Sequence, residues 1–315
     1  MLDVKLLGRF SLTRDGRPVE IPSRPAQLLL AYLLLSAGLP QPREELADIL
    51  WPDSMADNAR ANLRHALWQL RSAIGDADDP RAYIVHGPHD IAFNRQSDYT
   101  LDVDTLARER PAWTTEALME AAAAYGGELL PSFYESWIVL ERERLAVVFD
   151  RRMNRLLGRL IAERRWDDTL VWAERWIDLD EAPEPAYRAM MHAYAALGDT
   201  SRVMVTYRRC RDALRQELDV EPSPETRLLL ESLTRGAPPV WPRVAFPFDN
   251  EAFDEREATL QPAAADRQAL ALALARAEVG RQRANRYRLA LGLATLLTAA
   301  LGTALAARRG RRQPP

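Results

Sequence analysis

The sequence predicts a mainly α-helical protein that opens with a small α+β domain and closes with an apolar helix. Three observations carry this. Strand-like runs and a hairpin signature are confined to residues 1–97, apolar residues recur at helical spacing through 98–236, and residues 289–307 hold no charge. The 315 residues, 47% hydrophobic and 28% charged, suffice for about two domains of ordinary size, each with its own core. The one cysteine, Cys210, permits no internal disulfide. It lies at helical spacing among Val203, Tyr207, Leu214 and Leu218, and is expected to be a packed core thiol.

Taken in order, residues 4–10 and 17–21 read as short extended pieces around an Asp15-Gly16 turn. A helix over 25–37 follows, with Ser23 as N-cap and Gly38 at its end. A short helix over 42–50 has Arg43, Glu44 and Glu45 on its wet side, and a long one over 57–74 stops at Gly75. Tyr83-Ile84-Val85, a His86-Gly87-Pro88-His89-Asp90 turn and Ile91-Ala92-Phe93 form the hairpin. Strands, three helices and a hairpin are the layout of a winged helix-turn-helix over 1–97.

Residues 98–236 predict helices near 115–125, 135–165, 167–179, 184–197, 200–218 and 224–233. Arg165-Trp166-Asp167-Asp168 and Gly198-Asp199-Thr200-Ser201 are similar helix starts offset by 33 residues, the period of tetratricopeptide (TPR) helix pairs. Pro183-Glu184 and Pro224-Glu225 open two further helices. Residues 237–265 read as a Pro-rich, acidic linker, 266–288 as a charged helix, and 308–315 as a basic tail. The apolar run from Leu289 to Ala307 would span about 28 Å as a helix, close to a bilayer's hydrocarbon core. A membrane anchor is expected there, with an oligomerisation helix as the alternative. The N-terminus is not a signal peptide, because Asp3, Lys5 and Arg9 interrupt any apolar stretch.

The helix over 57–74 carries the candidate chemistry. On a helical wheel Leu63, Leu67, Leu70 and Ile74 form one stripe, which must face the domain's core. Asn58, Ala61, His65, Trp68 and Ser72 lie opposite; Asn62 and Gln69 sit on one shoulder, and Arg60, Arg64 and Arg71 on the other. No acid occurs between Asn58 and Gly75, so residues 58–75 carry +3 in a domain of net −1. A DNA-reading helix needs hydrogen-bonding side chains on its outward face and cations beside it for phosphates. Asn and Gln suit adenine, and Arg suits guanine or phosphate. Trp68 fits this face least well, since an indole also suits a contact between helices. His86 and His89 on the hairpin lack the partners a structural zinc needs, and are read as wing contacts to the DNA backbone.

Three separated motifs resemble the SARP-like, AfsR-type bacterial transcriptional regulators. The first is Trp51-Pro52-Asp53 followed by Asn58-Ala59-Arg60-Ala61-Asn62-Leu63-Arg64-His65-Ala66-Leu67-Trp68-Gln69-Leu70-Arg71. The second is Gly127-Glu128-Leu129-Leu130-Pro131 with Trp137 and Glu141-Arg142-Glu143-Arg144-Leu145. The third is Tyr207-Arg208-Arg209 with Glu217-Leu218-Asp219-Val220-Glu221-Pro222-Ser223-Pro224-Glu225. The resemblance implies a winged helix-turn-helix joined to a TPR-like bacterial transcriptional activator domain. It also implies promoter binding through residues 58–72 and dimer or RNA polymerase contacts through the helical domain. The chain departs from the family at its His-bearing wing tip, in lacking the family's frequent ATPase domain, and in its apolar C-terminal segment.

The expected function is sequence-specific binding of double-stranded DNA by a homodimer, with the soluble domains on the cytoplasmic side of the inner membrane. The alternative is a membrane-anchored TPR-like adaptor whose winged helix binds protein, favoured by the net −7 of residues 98–236. An enzyme is not expected, nor a cofactor or a small-molecule substrate. GxSxG, HExxH and GxGxxG are absent, and Lys5 is the sole lysine beside 41 arginines, which removes a P-loop.

Overall fold

The computed structural model describes residues 1–76, 82–110, 112–180 and 182–235. The expected linker, charged helix, apolar segment at 289–307 and basic tail lie outside the described residues. In chain order the elements are β1 (Leu2–Lys5), β2 (Ser11–Arg14), β3 (Arg17–Pro18), α1 (Arg24–Leu35), β4 (Gln41–Pro42), α2 (Arg43–Leu50), α3 (Ala56–Ala73), β5 (Ile84–His86), β6 (Asp90–Phe93) and β7 (Tyr99–Leu101). There follow α4 (Asp102–Ala107), α5 (Thr115–Ala124), α6 (Ser136–Ala162), α7 (Trp166–Leu179), α8 (Glu184–Ala196), α9 (Thr200–Leu218) and α10 (Pro224–Thr234). The described residues form two compact units, Glu20–Ser97 and Met1–Val19 with the chain from Asp98 onward.

The Glu20–Ser97 unit is three helices against a three-stranded sheet. Ser23 caps α1, its Oγ accepting from Ala26 N at 3.3 Å, and Pro25 sits in the first turn, where its missing N–H costs nothing. Glu44 and Glu45 lie in the first turn of α2, favourable against the helix's positive N-terminal end. α3 buries Ala59, Leu63, Ala66, Leu67 and Leu70, the stripe its wheel predicts, and packs on α1 and α2. Gly75, at φ 68°, ends the run. Asp76 then ties α3 to the hairpin: its buried carboxylate accepts from Tyr83 N at 2.5 Å and Ile84 N at 2.8 Å. The hairpin pairs Ile84 with Phe93 and His86 with Ile91, and β4 adds to its β6 edge to give the order β4-β6-β5. This is a winged helix-turn-helix.

The second unit begins with a sheet of order β3-β2-β1-β7, in which β1 and β7 are parallel. Asp102, at the start of α4, accepts from Leu6 N and Leu7 N, each at 2.8 Å. Residues 1–19 therefore group with the chain after Asp98, whereas the sequence division at residue 97 assigned them to the N-terminal domain. β2, β4, β7 and α4 were not predicted, because runs of four, two, three and six residues show too little periodicity.

The loop after α5 docks on β1. Gly8 N donates to Glu128 O and Leu130 N to Leu6 O, at 2.8 and 2.9 Å. A side chain at Gly8, whose φ is 82°, would meet Gly126 O at 2.7 Å, so glycine is required there. Arg142 closes the same loop, donating to the carbonyls of Leu129, Leu130 and Phe133 at 2.9 to 3.0 Å. From α5 to α9 each helix packs on the next, a TPR-like stack. The two similar starts have the same shape, with left-handed Arg164 before α7 and left-handed Gly198 before α9. Tyr125 stacks on Phe149 at 4.1 Å, and Trp176 meets Phe149 edge-on. Cys210 is fully buried against Tyr187 and Leu214, and burial pushes its thiol up to about 12, so it is an unreactive core residue as expected.

Candidate nucleic-acid interface

The candidate interface lies wholly within Glu20–Ser97. Its spine is α3, 18 residues whose buried stripe leaves the opposite face to solvent. Asn58, Asn62, Arg64, His65, Trp68 and Ser72 are all exposed along that face. Trp68 is 65% exposed, and its indole stacks on His65 with centroids 5.9 Å apart and planes 22° apart. The pair is one flat, amphipathic surface in the middle of the helix.

The remaining predicted residues are tied to the protein, each differently. Gln69 is half-buried, and its Oε1 accepts from Ser23 Oγ at 2.5 Å, so it locks α3 to the N-cap of α1. Arg60 is held by Asp57 at 2.6 Å and Glu44 at 3.8 Å, and the Asp57 hydrogen bond raises its pKa above the usual arginine value. Arg71 Nη1 lies 2.9 Å from His86 Nε2, and its Nη2 donates to Asp76 O at 3.2 Å. Arg64 stands apart: among the described residues no carboxylate lies within ion-pair distance of it.

Two clefts flank Arg64. One, of about 520 Å³, is lined by Pro42, Arg43, Glu44, Arg60, Leu63, Arg64, Pro88 and His89. The other, of about 360 Å³, is lined by Arg43, Arg64, Leu67, Trp68, Arg71, Ser72 and His86. Together they make a trough between α3 and the wing, floored by leucine and edged by arginine. His86 and His89 stand on its wing side, His86 exposed in β5 and His89 exposed in the turn.

Arg43 lines both clefts and sequence reasoning missed it. Its backbone N donates to His89 O at 2.9 Å and its Nε to Gly87 O at 3.1 Å, which fixes the wing turn against the start of α2. On the sequence it was one charge on a wet helix face; its value appears only once the turn at 87–89 is folded beside it. Around His86, burial first and then the cations of Arg71 and Arg43 lower the imidazole's pKa, so the ring is neutral at physiological pH.

A winged helix-turn-helix and a TPR-like stack in one chain define the class, and the comparisons agree with it. Residues 92–234 match the bacterial transcriptional activator domain family. This match agrees with the resemblance of the three motifs to the SARP-like regulators. It is similar to the transcriptional regulatory protein EmbR of Mycobacterium tuberculosis, 26% identical over 251 residues that cover 75% of this chain and 64% of EmbR. It is also similar to the transcriptional regulatory protein MoaR1 of the same organism, 24% identical over 252 residues, 74% of this chain and 79% of MoaR1. The chain thus spans less than two thirds of EmbR's length. In fold it resembles the solved structure of M. tuberculosis EmbR in complex with a low-affinity phosphopeptide, at a TM-score of 0.53 and 21% identity, covering 89% of this chain and 70% of that one.

Proposed function

We propose that this chain regulates transcription by binding specific double-stranded DNA, with α3 in the major groove and the trough astride one phosphate backbone. The observation that supports this most is the exposed face of α3. It presents Asn58, Asn62, Arg64, His65, Trp68 and Ser72 together, and among the described residues no carboxylate pairs with Arg64. A major groove about 12 Å wide admits a helix, and Asn and Arg make two-point contacts with adenine and guanine edges. Arg43 and Arg64 are placed for phosphates, Asn58 and Asn62 for bases, and the His65–Trp68 surface for an apolar contact such as a thymine methyl. EmbR and MoaR1 are named as transcriptional regulatory proteins, which supports the same reading.

A single helix neutralises few phosphates, so the reading includes a homodimer on paired half-sites, with RNA polymerase contacts through the helical unit. It also places both units on the cytoplasmic side of the inner membrane, with residues 289–307 as the anchor. The test is selection of bound fragments from a genomic library by the full chain, followed by gel shifts on the recovered sequence. Arg64→Ala and Asn62→Ala are expected to weaken binding; wild-type affinity in both would remove α3 from the interface. Membrane fractionation of the full chain against one cut before Leu289 tests the anchor separately.

The adaptor reading has one observation in its favour, the exposed Leu140 and Val147 along α6 in an acidic unit. A partner captured without any salt-dependent DNA binding would support it over the DNA reading.

A further inference from the structure

We propose that His86 is a positioning residue for this interface: its neutral imidazole, carried on wing strand β5, holds the Arg71 guanidinium at the end of α3 in the attitude that meets a backbone phosphate. This deepens the DNA-binding reading and rests on it. Arg71 Nη1 lies 2.9 Å from His86 Nε2, and Nη2 donates to the Asp76 carbonyl at 3.2 Å. A guanidinium nitrogen is always a donor, so the imidazole nitrogen facing it is the acceptor and the ring proton sits on Nδ1. Asp76 also fixes the strand that brings His86 there, through its bonds from Tyr83 N and Ile84 N. Two of the contacts of the Arg71 fork thus come from the end of its own helix and from the wing. One side chain couples recognition helix to wing, at the edge of the cleft that Arg43 and Arg64 share with it.

Among the described residues, the charged groups acting on His86 are Arg71 from α3, Arg43 from α2, and Asp76 beyond α3. Burial and the two cations favour the neutral ring, and Asp76 opposes them. Above its depressed pKa the acceptor is present and Arg71 is held. Below it, Nε2 carries a proton, the acceptor is gone, and a cation faces a cation.

The test is a double-mutant cycle on the full chain, using His86→Ala, Arg71→Ala and the double variant. Affinity for a mixed-sequence duplex is read by fluorescence anisotropy at low salt, at about pH 7.5 and at a pH below the His86 pKa that NMR titration of its ring gives. At the higher pH His86→Ala is expected to weaken binding about threefold to tenfold, the worth of one positioned hydrogen bond, with no further loss once Arg71 is already alanine. At the lower pH this coupling should vanish. His86→Gln, whose amide oxygen also accepts, should retain wild-type affinity at the higher pH. Additive losses at the higher pH, or a coupling unchanged between the two pH values, would overturn the proposal. The contact itself is read without DNA, by NMR titration of the His86 ring. It should titrate below an ordinary histidine and move up in Arg71→Gln, and a ring that ignores this substitution would overturn the contact even if DNA binds normally. A wild-type chain that binds no duplex would overturn the DNA reading and the positioning role with it, while the titration would still decide the contact.

Discussion

The two units use arginine in opposite ways. In the helical unit, guanidinium groups are consumed by the fold. Arg142 gathers three loop carbonyls, Arg144 forks onto buried Glu141, and Arg152 lies buried over Trp113 at 4.0 Å while pairing with Glu109 at 2.9 Å. In Glu20–Ser97, Arg60 is likewise paired with Asp57, but the Arg43 Nε donates to a wing carbonyl, Arg71 counts an imidazole and a carbonyl among its contacts, and Arg64 meets no carboxylate among the described residues. Partners that are neutral position a cation without cancelling it. A basic count therefore says little about nucleic acid, since the unit with more arginines is the one that neutralises them. The family motifs divide along the same line. The second holds the loop between α5 and α6. The third turns the chain from α9 into α10, where left-handed Asp219 ends one helix and Glu184 accepts from the N and Oγ of Ser223 at the start of the next. The first motif lies mostly on α3, whose polar face is turned to solvent.

The largest effect expected from breaking this contrast is in the helical unit. Arg142→Ala leaves three loop carbonyls without their donor and should cost about 3 kcal/mol, read as a lower midpoint in denaturant melts. Arg142→Lys, which lacks the planar fork, should recover only part of it. A loss below about 0.5 kcal/mol would show the loop holds itself and that Arg142 is ordinary surface charge.

Acid should act on the same unit with a predictable sign. Burial lowers His192 to about 4. An unfolded histidine protonates near 6.5, so the stability tied to neutral His192 is fully present above that value and is lost as pH falls toward about 4, at most about 3 kcal/mol in all. Asp150, raised to about 6 by burial and by Asp180, has the opposite sign: its contribution is present at low pH and is lost as pH rises through about 6. Thermal melts of wild type and His192→Gln across this range separate the two, because the variant should lose the acid-side decline and keep the Asp150 slope. An unchanged decline in the variant would assign it to carboxylates instead.

Sequence legibility follows from contact range. α1 to α3, the hairpin and α5 to α10 were readable, because caps, periodicity and turn residues are local signals. The outward face of α3 was readable for the same reason: once Leu63, Leu67 and Leu70 face inward, Asn62 and Arg64 cannot. What each side chain meets was not readable. Gln69 reaches Ser23, Arg71 reaches His86, and Arg43 reaches Gly87, pairs 46, 15 and 44 residues apart. The near parallel of β1 and β7 escaped too, since a three-residue strand pairs only because residues 2–4 are already in place beside it. Gln69 shows the consequence: its wheel position suggested a base contact, and its oxygen is committed to a helix cap.

On the other side of the comparison, Arg64→Ala should weaken DNA binding about tenfold, leave the denaturation midpoint unmoved, and reduce the slope of log affinity against log salt by about one. Equal loss of affinity and stability would mean Arg64 supports the fold after all. Asn62→Ala should cost about 1 kcal/mol on the preferred sequence and relax choice at one base pair, measured on duplexes varied at each position. Uniform weakening across all of them would move Asn62 from bases to backbone.

The smallest effect is the most telling control. Arg209 is as solvent-facing as a candidate DNA contact, and it forks onto Glu174 at 2.6 and 3.0 Å, tying α9 to α7. An exposed pair of this kind contributes about 0 to 1 kcal/mol, because water and salt already solvate both groups. Arg209→Ala should therefore change the melt by a few tenths of a kcal/mol at most, with affinity and salt slope at wild-type values. Exposure alone would predict that Arg209 and Arg64 behave alike toward a polyanion. The partner decides otherwise: a phosphate approaching Arg209 must first displace Glu174, and a phosphate approaching Arg64 meets no paired carboxylate among the described residues. A salt slope that falls equally in both variants would show that the arginines act by number, and that the contrast between the two units is one of fold alone.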